Sequence, residues 1–251
     1  MIMTMKGMDM LERCPVGIPG MDEICGGGFL RDRTYLITGP SGSGKTIFAM
    51  QFLYSGAVEY NEPGIFIATE ERPQNLRENF ATFGWDIEKL EDENMLAIID
   101  ATSAKIGLPS DERFVDARPF DTRSLIDNIL TVQDEIRALR AALDSTTSIG
   151  FAINDVAKFR VELLKISTTL EVLGLTSVMT AEVVEEGQIS RFGVENFIVD
   201  GVIVLYYTKL ENTRVRGIEV YKMRGSDHSK KVHPYDITPE GIIVHSREEV
   251  F

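Results

Sequence analysis

Gly39-Pro40-Ser41-Gly42-Ser43-Gly44-Lys45-Thr46 fits the pattern G-x-x-x-x-G-K-[ST]. Glycines spaced this way let backbone N–H groups wrap phosphate oxygens. The helix that should follow aims the positive end of its dipole at the same place. Lys45 is placed to reach the outer phosphates, as a binding and catalytic residue, and the Thr46 hydroxyl to ligate Mg2+. Ile47 completes the phosphate-binding set that begins at Gly39. A chance match in a chain of this length is of order one in a hundred. The setting strengthens it: Thr34–Thr38 reads as a strand, and Lys45 to about Glu59 reads as a helix with Phe48, Phe52 and Leu53 on one side.

Outward from this loop, β-prone runs alternate with stretches of helical period, which predicts a largely parallel sheet with helices on both faces. Gly64–Thr69 is the second strand. Pro73 opens a helix to about Phe83, stopped by Gly84. Met95–Asp100 is a third strand, and Ala101 to Phe120, polar and carrying Pro109 and Pro119, reads as a long loop. Asp121 caps a helix whose stripe is Leu125, Ile129, Val132, Ile136 and Leu139. Asp155 to Leu173 is a further helix, Leu175–Ala181 a strand and Val184–Gly193 a polar loop. The tail is β-rich, with strands at Val202–Tyr207, Gly217–Met223 and Ile242–Val244. No repeat or linker is visible, so residues 14–251 are expected to form one domain behind an N-terminal extension, 1–13.

Of the 251 residues, 43% are hydrophobic and 26% charged, an ordinary globular balance. The net charge of −13, from 26 basic and 39 acidic side chains, disfavours non-specific nucleic-acid binding. Cys14 and Cys25 fit no zinc or redox spacing and read as packing residues. His233 and His245 have no ligand-spaced partners, which leaves Mg2+ as the expected metal. Trp85, after Gly84, reads as a packing anchor. No apolar run is long enough to span a bilayer and the first ten residues lack a signal-peptide core, so no membrane association and a cytoplasmic location are expected.

A phosphate site of this kind needs an acid at another strand end to hold the magnesium shell. Asp144, in Ala141-Ala142-Leu143-Asp144-Ser145, is the candidate metal ligand, although the residues before it are alanine- and arginine-rich; the competing reading is an Asp capping a helix at Ser145 or beyond. Glu70 and Glu71 follow the second strand, on the edge where α/β sheets bind ligands, and are the candidate catalytic acids that orient water; otherwise they are a solvated acidic pair before Pro73. The tail concentrates base at Arg214, Arg216, Lys222, Arg224, Lys230 and Lys231.

Several segments in register resemble one family. Val16-Gly17-Ile18-Pro19-Gly20-Met21-Asp22-Glu23 and Gly26-Gly27-Gly28-Phe29 precede the phosphate loop. With Glu70-Glu71, Thr180-Ala181-Glu182, Arg191-Phe192-Gly193-Val194-Glu195 and Lys222-Met223-Arg224-Gly225-Ser226-Asp227-His228, they resemble the KaiC-like branch of the RecA-superfamily P-loop ATPases, from about Cys14 to Val244. The resemblance implies a RecA-like α/β core, ATP and Mg2+ as cofactors, Glu70-Glu71 as the catalytic pair and Asp144 as the Walker B aspartate. It also implies that Lys222, Arg224 and His228 reach the γ-phosphate of ATP on a neighbouring subunit of a homo-oligomeric, usually hexameric, ring. This chain has room for one such domain, so clock function and autokinase activity do not carry over. The recombinases' DNA-contacting loops would correspond to Ala101–Phe120 and Val184–Gly193. There Lys105, Arg113 and Arg118 face Asp111, Glu112 and Asp116, and Arg191 faces Glu185 and Glu186, which is no phosphate-binding stripe. Three functions follow for test: a slow ring ATPase, a nucleotide-gated scaffold for an unknown protein partner, and a DNA-stimulated repair accessory.

Overall fold

The structure is a computed structural model that describes residues 11–103, 107–118, 121–184 and 187–250. Twelve strands and eight helices follow in chain order: β1 Arg13–Cys14, α1 Met21–Ile24, β2 Phe29–Leu30, β3 Thr34–Gly39, α2 Lys45–Tyr60, β4 Gly64–Ala68, α3 Pro73–Ala81, α4 Ile87–Asp92, β5 Leu96–Asp100, β6 Phe114–Val115, α5 Thr122–Ile136, β7 Arg140–Asp144, α6 Thr146–Ile153, α7 Val156–Val172, β8 Thr176–Glu182, α8 Glu195–Ile198, β9 Gly201–Leu210, β10 Thr213–Met223, β11 His233–Thr238 and β12 Gly241–Val244. The sheet order is β12-β11-β10-β9-β3-β8-β7-β4-β5-β6. From β6 to β9 neighbours are parallel, and β9 to β12 form an antiparallel meander. This is the expected α/β core with a β-rich end.

Its strands β3, β4 and β7 are buried along their whole length because both faces are covered. On one face α2, α3 and α4 pack Phe48, Phe52, Leu76, Phe80 and Leu90 onto the sheet. On the other, α5 and α7 contribute Leu125, Ile129, Val132, Phe159, Leu163 and Ile166. Trp85 is buried and stacks on Tyr54, Phe80 and Phe83, the packing role expected of it. Cys14 and Cys25 are buried free thiols; burial pushes the Cys14 thiol up to about 11. No helix of the described residues is long and apolar enough to cross a membrane.

Where the elements depart from the sequence reading, local physics accounts for it. The helix from Pro73 stops at Ala81, and Asp86, accepting from Lys89 N, caps a second short helix, α4. α5 ends at Ile136 because Arg137 turns left-handed (φ 55°), so Leu139 leaves the apolar stripe and is exposed; its N–H serves Pro63 O instead. The expected loop after Asp100 contains the short strand β6; Lys105, Pro119 and Phe120 lie outside the described residues.

β7 is the clearest case. Its alanine-rich sequence makes a strand because it lies between β4 and β8 with α2 close above. A Cβ on Gly56 of α2 would come within 2.5 Å of Arg140 Cδ, so glycine opposite this strand is what lets the arginine fit. Fully buried Arg140 pairs with Glu62, donates to Phe52 O at 2.9 Å and lies over the rings of Phe52 and Tyr60. Glu62, which Arg31 also engages, is held below the usual carboxylate range: burial opposes its charge, and the two guanidiniums outweigh that.

Candidate active site

Parallel pairing brings the C-terminal ends of β3, β4, β7 and β8 to one edge of the sheet. The glycine-rich loop leaves β3 there. Gly42 and Gly44 are left-handed (φ 80° and 92°), and any side chain on Gly44 would meet Ile237 Cδ1 at 2.9 Å. Ser43 Oγ and N both donate to Pro40 O, which closes the loop on itself. Ser41 and Gly42 are exposed at its crest, while half-buried Ile47 packs against the core beyond it. Lys45 Nζ donates to Gly39 O and Pro40 O at 3.0 Å each. Burial lowers its proton affinity, and the charges of Glu182, Asp144 and Glu70 work against that.

Asp144 ends β7 directly opposite. Ser145, not Asp144, occupies the N-cap position of α6, so the aspartate is a strand-end acid and not the cap. Thr46 Oγ1 donates to Asp144 Oδ2 at 2.8 Å, and Thr180 of β8 donates to Oδ1. Burial raises the carboxyl's proton affinity, partly offset by these two hydroxyls. The Asp144–Ser145 peptide is cis.

The two glutamates after β4 diverge. Glu70 Oε1 accepts from Ser145 Oγ and from Ser148 Oγ, the latter at 3.0 Å. Both serines belong to the α6 entry, which ties Glu70 to the segment carrying Asp144. Glu71 instead accepts from Asn79 Nδ2 of α3 at 2.6 Å; burial and the charge of Asp144 raise its proton affinity. Sequence reasoning did not single out Thr180, Ser145, Ser148 or Glu182 as site residues. The only signal was position, since all lie within five residues of a strand end on this edge.

The donor set fits a small hard cation. Thr46 and Asp144 offer a hydroxyl and a carboxylate oxygen in contact, and no cluster of three or more His, Cys, Asp or Glu able to cage a metal occurs among the described residues. Magnesium is held in just this way, by few protein oxygens with phosphates and waters completing the shell.

A family model for the KaiC ATPase matches residues 14–249. The chain belongs to the KaiC family of ATPases. KaiC-family membership carries nucleotide binding and ATPase chemistry at that coarse level, in keeping with the strand edge just described. The chain is 44% identical over 237 residues to the UPF0273 protein MJ1359 of Methanocaldococcus jannaschii, covering 94% of this chain and 97% of that protein. It is 40% identical over 226 residues to the circadian clock oscillator protein KaiC of Synechococcus elongatus, covering 90% of this chain but 42% of that protein; it thus spans less than half the clock protein's length. The crystal structure of the KaiC-like protein PH0186 from Pyrococcus horikoshii OT3 superposes with a TM-score of 0.82 at 39% identity, over 94% of this chain and all of that one.

The remaining KaiC-like residues lie elsewhere. Lys222 pairs with Val202 near the start of β9, and its Nζ donates to Asn196 O at 2.8 Å and Val199 O at 2.7 Å. Burial and nearby Arg224 lower its proton affinity. Arg224 N donates to Asp200 O while Asp200 N donates to Thr34 O, so Arg224 is level with the first residue of β3; its Nη2 donates to Phe197 O at 3.1 Å. His228 Nδ1 contacts Ser229 O at 2.8 Å. Thr34 and Gly39 are five strand steps apart, or about 16 Å. Lys222, level through Val202 with Leu36, is three strand steps or about 10 Å from Gly39, and His228 precedes Ser229, whose N donates to Ile24 O at the end of α1, so none of the three is brought to the phosphate loop of its own protomer.

Proposed function

We propose that this protein binds MgATP in the loop Gly39–Thr46 and hydrolyses it slowly at the interfaces of a homo-oligomeric ring. The observation that carries the reading is the convergence of Lys45, Thr46, Asp144 and Glu70 on one strand edge. In this reading Lys45 neutralises the outer phosphates, Thr46 and Asp144 hold magnesium, and Glu70 orients the attacking water with the oxygen its serines leave free. The metal, when bound, withdraws charge from the transferring phosphoryl group. Glu71, turned toward α3, plays the lesser part.

Cations that cannot reach their own nucleotide favour a second subunit. Lys222 and Arg224 sit at the opposite end of the sheet from the loop, so a copy docking head to tail presents them to its neighbour's γ-phosphate. Such heterologous contacts close into rings when the rotation allows. His228 follows on the same segment and serves there too. A cation supplied in trans ties hydrolysis to assembly.

The partner of the ring is proposed to be protein, not nucleic acid. Arg113 pairs with Glu135, Arg118 with Asp121 at 3.6 Å and Arg191 with Glu182 at 4.0 Å, so the described cations of the two loops are already engaged; Glu185 and Glu186 lie outside the described residues. The test is steady-state ATP turnover with Lys45→Ala as control, with and without single-stranded DNA. Turnover that vanishes in the control and ignores DNA supports the reading, whereas strong stimulation by DNA contradicts it.

A further inference from the structure

Glu195 takes no part in the phosphate site, yet it is fully buried. It opens α8, and its carboxyl group gathers the turn before that helix: Oε2 accepts from Ser190 Oγ at 2.7 Å and Val194 N at 3.0 Å, and Oε1 from Phe192 N at 3.4 Å. The segment is also tied to both ends of β3. Thr38 Oγ1 donates to Ile189 O at 2.5 Å beside the phosphate loop, and Asp200 N donates to Thr34 O at the far end. Residues 189–200 therefore run back along β3 from the loop edge to its first residue, with Glu195 fixing the turn between.

This segment holds the two cations of the proposed shared site. The last carbonyls of a helix have no intrahelical donor. In α8 they are served from β10 and its end: Lys222 Nζ donates to Asn196 O and Val199 O, and Arg224 Nη2 to Phe197 O. Asp200, the next residue, lies 4.0 Å from Arg224 Nη1 and 3.8 Å from Arg33 Nη1. Arg224 still keeps 54% of its side chain exposed, so it is held in place without being enclosed. A long cation fixed in this way loses less rotamer freedom when it meets an anion than one that swings in water.

We propose that Glu195 is a positioning residue: by fixing α8 it aims Lys222 and Arg224 at the nucleotide of the neighbouring protomer. This rests on the reading of those two cations as acting in trans. Glu195 touches no nucleotide itself and works only through the carbonyls of the helix it opens.

The test uses the full-length protein. Both oxygens of Glu195 face a backbone N–H, so in Glu195→Gln the amide NH2 opposes a donor whichever way it sits, and the turn loosens. Its kcat for MgATP should fall about tenfold, while N-methylanthraniloyl-ATP with Mg2+ binds within about twofold of wild type; thermal melting checks folding. Ser190→Ala removes one donor, should cost about threefold, and carries the test if the first variant fails to fold. The readout that a merely structural role would not move is mixing. Reassembled in equal amounts with Lys45→Ala protein, whose cations are intact, Glu195→Gln protomers receive good cations at about half their sites, and the mixture should recover about a quarter of the wild-type rate. A defect in the variant's own loop cannot be cured by a neighbour; it would hold the mixture to about a twentieth and overturn the proposal. Unchanged turnover in both folded variants, or lost nucleotide binding, overturns it too. Arg224→Ala in the same mixture is the control. If it is rescued and Glu195→Gln is not, the trans reading stands and only the role of Glu195 falls. If Arg224→Ala alone turns over like wild type, the trans reading fails and the proposal with it.

Discussion

Replacing Asp144 by Asn should stabilise the nucleotide-free protein while abolishing its function. The carboxylate is buried at the end of β7, and burial raises its proton affinity despite the Thr46 and Thr180 hydroxyls. A carboxyl whose folded pKa is raised costs stability above that pKa and costs none below its unfolded pKa. Asparagine keeps the shape and accepts through one oxygen; the hydroxyl facing its NH2 can turn to accept. One hydrogen bond weakens, while a buried charge disappears. The balance is about 1 kcal/mol in favour of the variant at pH 7, or about 3 °C in melting temperature for a chain of this size. The assay is thermal unfolding without nucleotide or Mg2+ at pH 7 and again at successively lower pH, where the gap should close as the raised carboxyl of the wild type takes up its proton. MgATP turnover of the same variant should fall about a thousandfold, because in the proposed site Asp144 supplies the anionic oxygen that would hold the metal. A variant that melts lower than wild type at pH 7 would refute the reasoning, since it would mean that Lys45 more than offsets the cost of burying the charge.

Other outcomes follow from the same geometry. Glu70→Gln should cut turnover by two to three orders of magnitude, roughly, with ATP binding kept, and Glu71→Gln should cost much less; single-turnover assays on the two variants separate them. Asp100 accepts from Ser103, Ser110 and Thr102, and these bonds outweigh the opposing effect of burial and hold its carboxyl down to about 2. Its folded pKa is depressed, so its stabilisation is present above the ordinary carboxylate range and is lost as pH falls toward 2. Asp100→Asn should therefore cost about 2 kcal/mol at pH 7 in urea unfolding, with the gap narrowing as the pH drops below about 4.

The phosphate loop, β3 and α2 were legible because glycine spacing and apolar period are local signals, and Asp121 and Asp155 do accept from backbone N–H groups at the starts of α5 and α7. β7 was not legible as a strand. Its alanines have little β preference, and only its place between β4 and β8 decides its form. α6 was in view only as the helix at Ser145 or beyond in the competing reading of Asp144, because Thr146, Thr147, Ser148 and Gly150 are weak helix formers; contacts hold it, Thr146 Oγ1 to Thr180 O and Phe192 packed against Gly150. β11 begins His233-Pro234, a poor strand signature, and owes its place to pairing with β10 and β12. In the candidate site, Lys45 and Thr46 were singled out by the motif, and Asp144 only by its place and by the family resemblance, with a helix cap as the competing reading. Which glutamate is tied to the Asp144 segment was not legible, because Ser145 and Ser148 are 75 and 78 residues away from Glu70 in the chain. That Lys222 and Arg224 lie at the wrong end of the sheet for their own loop needed the strand register.

The most direct test of a site shared between protomers is the ATP turnover of an equimolar mixture of Lys45→Ala and Arg224→Ala proteins, reassembled from separated subunits. Each alone should be inactive, one lacking the phosphate loop's lysine and the other the cation that acts on its neighbour. Mixing makes about a quarter of the interfaces whole, so the mixture should recover about a quarter of the wild-type rate. A mixture as inactive as its two components, in rings shown by light scattering to be mixed, would contradict the account.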